Sequence, residues 1–82
     1  MEEIKLKARN FVVEKFLFGN ANGLEDDTSF LEAGILDSTG VLEVVAFLEE
    51  QFGVRVDDDA LTPENLDSIS SIGAFVSRKL QV

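Results

Sequence analysis

Several residue types on which enzymes depend are missing from this chain of 82 residues. There is no cysteine, so the chain has no disulfide framework and no thiolate to act as a nucleophile or metal ligand. There is no histidine either, which removes the commonest general base, the usual catalytic triads and most transition-metal sites. Trp and Tyr are also absent, so the aromatic side chains are seven Phe without polar groups. We therefore expect neither a catalytic site nor a metal site.

Long apolar runs are absent as well. No stretch approaches the roughly 20 residues of a membrane-spanning helix, so we expect no insertion into a membrane. The N-terminal sequence MEEIK lacks the basic start and apolar run of a signal peptide. Because nothing in the composition requires an oxidising compartment, we predict a cytoplasmic protein.

Acidic residues dominate the charge. Sixteen acids and seven bases give a formal net charge of −9 at pH 7. This charge should repel nucleic acids and anionic membrane surfaces, whereas partners that dock by charge should carry basic patches. Composition alone does not separate a docking role from the simpler role of keeping the chain soluble and monomeric. We expect a monomer in both cases.

The spacing of apolar residues predicts helices and no sheet. A first helix over roughly residues 3–18 is indicated by Ile4, Ala8, Phe11, Val12 and Phe16. The clearest helix runs from about Ser38 to Phe52, and its core-facing stripe is Val41, Val44, Val45, Leu48 and Phe52. A brief helix near 63–67 and a last helix near 69–80 follow. At this length we predict one domain, residues 1–82, folded as an all-α four-helix bundle with a short third helix and a long first loop.

The connections carry their own signals. In the loop 19–37, four apolar residues should hold the chain on the core: Phe30, Leu31, Ile35 and Leu36. Gly53 is a C-terminal stop, and Thr62 with Pro63 is a helix start. Ser68 should cap the last helix, whose predicted inward residues are Ile69, Ile72, Val76 and Leu80.

Neighbouring acids occur at Asp26–Asp27, Glu49–Glu50 and Asp57–Asp59. All fall on predicted loops or exposed faces, where nothing would separate their pKa values as acid–base catalysis requires. A calcium loop of the EF-hand type starting at Asp57 would need Gly and Glu where the chain has Thr62 and Ser68. We interpret these acids as solvated charge.

Ser38 stands where the long loop meets the clearest helix, within Gly34-Ile35-Leu36-Asp37-Ser38. Asp37 or Ser38 as an ordinary N-cap explains this dipeptide without any further function. A serine without a neighbouring base is a poor nucleophile, but another enzyme can modify it. A helix N-terminus would stabilise the resulting phosphodiester, because its free N–H groups and dipole favour negative charge.

The outer face of the same helix is acidic with small apolar patches. We call it the docking face, and it consists of Thr39, Leu42, Glu43, Ala46 and Glu50. Acids interspersed with apolar side chains suit protein docking better than simple solvation.

Several short motifs keep a recognisable order from Thr28 to Leu80. Phe30-Leu31 and Gly34 precede Asp37-Ser38, and then come Leu42-Glu43, Val45 and the run Leu48-Glu49-Glu50-Gln51-Phe52-Gly53-Val54. The VRV link, the Thr62-Pro63 helix start and the Ser68 cap follow at matching spacing. Each motif is weak alone, but the ordered set resembles the acyl and peptidyl carrier protein family.

This resemblance implies a four-helix fold in which Ser38 of the Asp37-Ser38 pair receives 4′-phosphopantetheine from coenzyme A. A phosphopantetheinyl transferase using Mg²⁺ would attach it. The thiol of this arm would then hold acyl or aminoacyl groups as thioesters for loading and transferring enzymes with basic patches. In the family the second helix is the main recognition element, which maps onto the docking face.

Two features depart from the fatty-acid carriers. Thr39-Gly40 follows the serine where a large apolar residue is usual, and Ile35-Leu36 lies between Gly34 and Asp37 where one residue is common. The second spacing looks more like D-alanyl and stand-alone aminoacyl carriers. We therefore favour a specialised lipid, polyketide or aminoacyl pathway over bulk fatty acid biosynthesis.

Three other functions fit parts of the sequence less well. An unmodified, carrier-like interaction module is the main alternative, and Ser38→Ala would leave it working. A small hydrolase or transferase using Ser38 directly is disfavoured by the missing histidine. Nucleic-acid binding is disfavoured by the net charge of −9 without a basic stripe.

Overall fold

The computed structural model describes residues 2–20 and 23–80. Within these ranges the chain forms four α-helices: α1 (Glu2–Phe16), α2 (Ser38–Phe52), α3 (Pro63–Leu66) and α4 (Ile69–Leu80). A single 3-10 turn, Asp58–Ala60, precedes α3, and no strand occurs in the described part of the chain. The predicted all-α fold with a short third helix and a long first loop is confirmed. Across the same residues, no helix is long and apolar enough to cross a membrane.

Capping residues explain where α2 begins and ends and where α4 begins. Asp37 is the N-cap of α2, and Gly53 ends it in the left-handed conformation (φ 68°) with its N–H donating to the carbonyl of Glu49. The Ser68 hydroxyl accepts the N–H of Ser71 at 3.0 Å, so it caps α4 as predicted.

The other two helices are slightly shorter than predicted. α1 ends at Phe16 instead of residue 18, because Phe18 (φ 53°) and Gly19 (φ 85°) are both left-handed. α3 ends at Leu66 instead of residue 67, and Thr62 holds its N-cap position without a capping hydrogen bond from its side chain.

The core is built mainly where α1 and α3 pack against α4, and Val44 and Leu48 of α2 are buried in the same cluster. Its most deeply buried members come from all three long helices and the first loop: Val12, Phe30, Val44, Leu48, Ile69, Ile72 and Val76. Phe11 and Phe47 stack with ring centroids 4.2 Å apart, which joins α1 to α2. The inward role predicted for Leu80 is wrong, since the side chain is 52% exposed at the end of α4.

The long loop is held on the core by fewer apolar residues than predicted. Phe30 and Leu36 are buried and Ile35 is half-buried, but Leu31 is 48% exposed. The prediction for Leu31 is therefore wrong. Its neighbour Phe30 takes the core position, and adjacent residues in an irregular turn do not share a face.

Asp26 fixes the other end of this loop, so its interpretation as solvated charge is wrong. Its carboxylate pairs with Lys5 at 3.0 Å and Arg9 at 2.6 Å, both on α1. Arg9 also donates to the carbonyl of Leu24, and the Asp26 carbonyl accepts the N–H of Ser70 on α4. Hydrogen bonds from Arg9 and then Lys5 lower the pKa of Asp26 below its ordinary value of 3.8.

The remaining acidic runs are exposed, as predicted. Glu49 accepts the N–H of Val56 at 3.0 Å, and Asp57 pairs with the exposed Arg55 at 3.3 Å. No cluster of three or more acidic side chains in residues 2–20 and 23–80 is arranged to hold a metal ion.

Candidate functional site

Ser38 is the first residue of α2, and its side chain is exposed. The Asp37 carboxylate accepts the N–H of Gly40 at 2.8 Å, so Asp37 provides the cap that either residue could have supplied. The Ser38 hydroxyl has no hydrogen-bond partner among the described residues. It is therefore free at a helix N-terminus, where the first-turn N–H groups lack intrahelical partners.

An apolar groove begins at Ser38 and runs between α2, the first loop and α3. We call this the apolar groove, and its volume is about 370 Å³. Its lining is mostly apolar, with two separate hydroxyl residues and one carboxylate: Leu31, Ser38, Val41, Leu42, Leu61, Thr62, Pro63, Leu66 and Asp67. This explains why Leu31 and Leu42 stay exposed, since both face an open groove instead of the core.

Hydrogen bonds to Asp67 hold the loop side of the apolar groove. The Ser29 hydroxyl donates to one oxygen of the Asp67 carboxylate, and the Leu31 N–H donates to the other at 2.9 Å. The Phe30 N–H donates to the Asp67 carbonyl at 2.8 Å. We call the side-chain pair the Ser29–Asp67 clasp. Sequence reasoning missed it, because its partners are 38 residues apart and neither belongs to a recognisable motif.

Gly40, one of the departures from the fatty-acid carriers, is explained by packing. It is buried, and a Cβ added to it would lie 3.0 Å from Leu36 Cδ2 and 3.3 Å from Phe16 Cε1. The first turn of α2 thus lies close against the loop and the end of α1. A glycine permits this approach, although it lowers helix propensity by about 1 kcal/mol relative to alanine.

The structure places the five residues of the docking face on the exposed side of α2, beside Ser38. All are exposed, and Leu42 is the most prominent apolar member at 58%. Glu43 lies 3.8 Å from Lys15 of α1, which is a surface pair of small energetic value. That the face binds partners remains a prediction.

Comparison with known proteins identifies a family and a relative that match most of this chain. The family described as the phosphopantetheine attachment site matches residues 17–76. The probable acyl carrier protein PigG of Serratia sp. (strain ATCC 39006) is 29% identical over 75 residues, which cover 92% of this chain and 86% of that protein.

Two solved structures share the fold. A holo acyl carrier protein from Nitrosomonas europaea matches over 100% of both chains with a TM-score of 0.79 and 29% identity. A chain in the crystal structure of an FAD-dependent dehydrogenase matches with a TM-score of 0.75 and 29% identity, covering 84% of this chain and 97% of that one. Since the family match spans most of the sequence, this chain belongs to the phosphopantetheine-attachment family of acyl carrier proteins, and its cofactor is covalently bound 4′-phosphopantetheine.

Proposed function

We propose that this protein carries acyl or aminoacyl groups as thioesters on a phosphopantetheine arm attached to Ser38, and catalyses no reaction itself. The observation that supports this best is the Ser38 hydroxyl, which is exposed and free of hydrogen bonds at the N-terminus of α2. In a chain of this family, such a hydroxyl is accessible to a modifying enzyme. The whole of residues 1–82 would form this one carrier domain.

The residues around Ser38 fit the arm. First-turn N–H groups of α2 other than that of Gly40, which Asp37 accepts, would stabilise the phosphodiester, because they have no intrahelical partners and the helix dipole favours negative charge. Val41, Leu42 and Leu61 in the apolar groove offer apolar surface to the pantetheine chain. The thiol at its end supplies the thioester chemistry.

The docking face is the proposed site for partner enzymes. Glu43 and Glu50 are exposed there with Leu42, so a partner with a basic patch around an apolar pocket would complement it. The same face would serve the phosphopantetheinyl transferase and the enzymes that load or unload the arm. Since these partners would compete for one helix, each would bind transiently.

The cargo belongs, in this proposal, to a specialised lipid, polyketide or aminoacyl pathway. The Gly34-Ile35-Leu36-Asp37-Ser38 spacing supports this, because it differs from that of fatty-acid carriers. The likeness to a chain in the structure of an FAD-dependent dehydrogenase adds an oxidising enzyme to the partners worth testing.

The test is the intact mass of the purified protein after incubation with a permissive phosphopantetheinyl transferase, coenzyme A and Mg²⁺. We expect wild type to gain the mass of one phosphopantetheine group and Ser38→Ala to gain nothing. Ser77→Ala is the matched control, since it removes a partly exposed hydroxyl on α4, outside the docking face and the apolar groove, and should still be modified. Far-UV circular dichroism would show that all three proteins are folded.

Failure of wild type to gain this mass with several transferases would contradict the proposal. The chain would then act as an unmodified, carrier-like interaction module. In that case Ser38→Ala should retain the activity of wild type in cells, whereas a carrier should lose it.

A further inference from the structure

The Ser29–Asp67 clasp joins the two walls that face each other across the apolar groove. Leu31 belongs to the loop wall, and its N–H donates to an Asp67 carboxylate oxygen at 2.9 Å. Asp67 is also the C-cap of α3, where its own N–H donates to the carbonyl of Pro63 at 3.0 Å. One residue therefore sets the position of the loop wall relative to α3.

From this geometry we propose that the Ser29–Asp67 clasp is a positioning device for the phosphopantetheine arm. It holds Leu31 and α3 at the separation at which the apolar groove receives the arm next to Ser38. This inference rests on the proposed attachment at Ser38. It concerns residues outside both the attachment motif and the docking face.

The hydrogen bonds of the clasp are made to a carboxylate, which makes them strong. Both carboxylate oxygens of Asp67 accept hydrogen bonds, one from the Ser29 hydroxyl and one from the Leu31 N–H. Bonds to an ionised acceptor are about twice as strong as neutral ones. The Ser29 oxygen in turn accepts the N–H of Glu32 at 3.2 Å, which closes the turn around Phe30.

Contacts outside the clasp anchor the base of each wall, and the Asp67 carboxylate adds bonds to Ser29 and Leu31 of the loop. α3 has only four residues, too few for a helix that is stable by itself. Leu66 anchors it to the core, but Leu61 and Pro63 at the groove are exposed. On the loop wall, the buried Phe30 donates its N–H to the Asp67 carbonyl, and the 48% exposed Leu31 is tied to the Asp67 carboxylate by its own N–H.

The experiment compares the apo and holo forms of five proteins, wild type and four variants, by NMR of their Leu and Val methyl groups. Ser29→Ala removes the donor to Asp67. Asp67→Asn leaves one acceptor oxygen where two are used. Ser29→Thr restores the hydroxyl and serves as the rescue. Glu64→Gln is the control, because it removes the same charge from an exposed position on α3 outside the clasp.

We expect attachment of the arm to shift the methyl signals of Leu31, Val41 and Leu61 in wild type, Ser29→Thr and Glu64→Gln. These shifts scale with the fraction of molecules whose arm occupies the apolar groove. In Ser29→Ala and Asp67→Asn they should fall by about twofold or more, as the population with a formed groove decreases. A loss of stability alone would not change them while the protein stays folded.

Equal shifts in wild type and the two clasp variants would overturn the inference, as would a wild type whose groove methyls do not respond to the arm. Mass spectrometry of the same samples separates this from the proposed function. If wild type gains no phosphopantetheine, the proposed function and the positioning role both fall. If it gains the group and the methyl shifts do not distinguish the variants, only the positioning role falls.

Discussion

Asp37 and Ser38 have separate tasks at the start of α2, since Asp37 caps the helix and Ser38 presents an exposed hydroxyl. The carboxylate of Asp37 satisfies the Gly40 N–H, so the Ser38 hydroxyl is not needed as a cap. A serine that capped the helix itself would be left with a weaker, esterified acceptor oxygen when modified. Here the modification proposed for Ser38 leaves the cap of α2 in place.

Gly40 allows a test of how tightly the start of α2 is packed. In Gly40→Ala, a gain in helix propensity of about 1 kcal/mol opposes the overpacking of Leu36 and Phe16, which typically costs 1–3 kcal/mol. Because Leu36 is buried and has little space to move, we expect overpacking to prevail and the free energy of unfolding to fall by about 1 kcal/mol. Urea unfolding followed by far-UV circular dichroism measures this.

Thr39→Ala is the control for Gly40→Ala, since Thr39 is the adjacent exposed position on α2. It should leave stability unchanged or slightly increased, because alanine has the higher helix propensity. If Gly40→Ala were stabilised by a similar amount, Leu36 would have to move aside at little cost, and packing would not explain the glycine.

At the scale of elements, the Asp26 ion pairs make the attachment of the first loop to α1 dependent on pH. The pKa of Asp26 is lowered, so the folded protein binds this proton less readily than the unfolded chain does. The stabilisation is present above the ordinary value of 3.8 and is lost as the pH falls through the lowered pKa. We expect Asp26→Asn to be less stable than wild type at pH 7 and the difference to shrink near pH 3.

Urea unfolding of both proteins at several pH values would measure this, with Asp27→Asn as the control on the exposed neighbouring acid. A constant difference between wild type and Asp26→Asn across the acid range would contradict an electrostatic role. The pKa of Lys5 is raised, chiefly by its hydrogen bond to Asp26. Its contribution should therefore be lost only as the pH rises through that raised value, above 10.5.

The helices were predictable because their signals are local. Asp37, Gly53, Pro63 and Ser68 each act on residues within one turn, and they define the helix ends within two residues. The exposed side of α2 could also be read from periodicity. Periodicity does not predict whether another element covers a given apolar residue. It assigns Leu80 to the inward face of α4, but it does not show that another element reaches that position.

Contacts between distant parts of the chain account for what the sequence did not predict. Arg9 and Asp26 are 17 residues apart, and Ser29 and Asp67 are 38 apart. Charged and polar residues of this kind occur throughout an acidic sequence, and spacing does not show which of them meet. The motif was enough to propose Ser38 as the attachment residue, but the apolar groove beside it involves the distant contact between Ser29 and Asp67.

For the whole molecule, the net charge of −9 should lower the stability of the folded state but raise the rate of association with basic partners. Five of the bases lie in ion pairs with the chain's own acids: Lys5, Lys7, Arg9, Lys15 and Arg55. The excess acids still repel one another, and this repulsion destabilises the compact state. Salt near 0.3 M should therefore raise the urea midpoint relative to a low-salt buffer.

The same salt should slow association with a basic phosphopantetheinyl transferase, because screening weakens long-range attraction to the docking face. Stopped-flow or surface-binding rates at two salt concentrations would measure it, alongside the urea midpoints. A urea midpoint that falls with salt would mean that the ion pairs outweigh the repulsion. An association rate that does not change with salt concentration would argue against docking by charge.

The brevity of α3 makes it the helix that opens most easily. Its backbone is closed by few bonds, including those from Leu66 to Thr62 at 3.1 Å and from Asp67 to Pro63 at 3.0 Å. Local opening of this one turn leaves the packing of α1 against α4 intact, so it requires far less free energy than global unfolding. We therefore expect α3 to open before the α1–α4 pair does, so that the proposed carrier would admit bulkier cargo without unfolding its core.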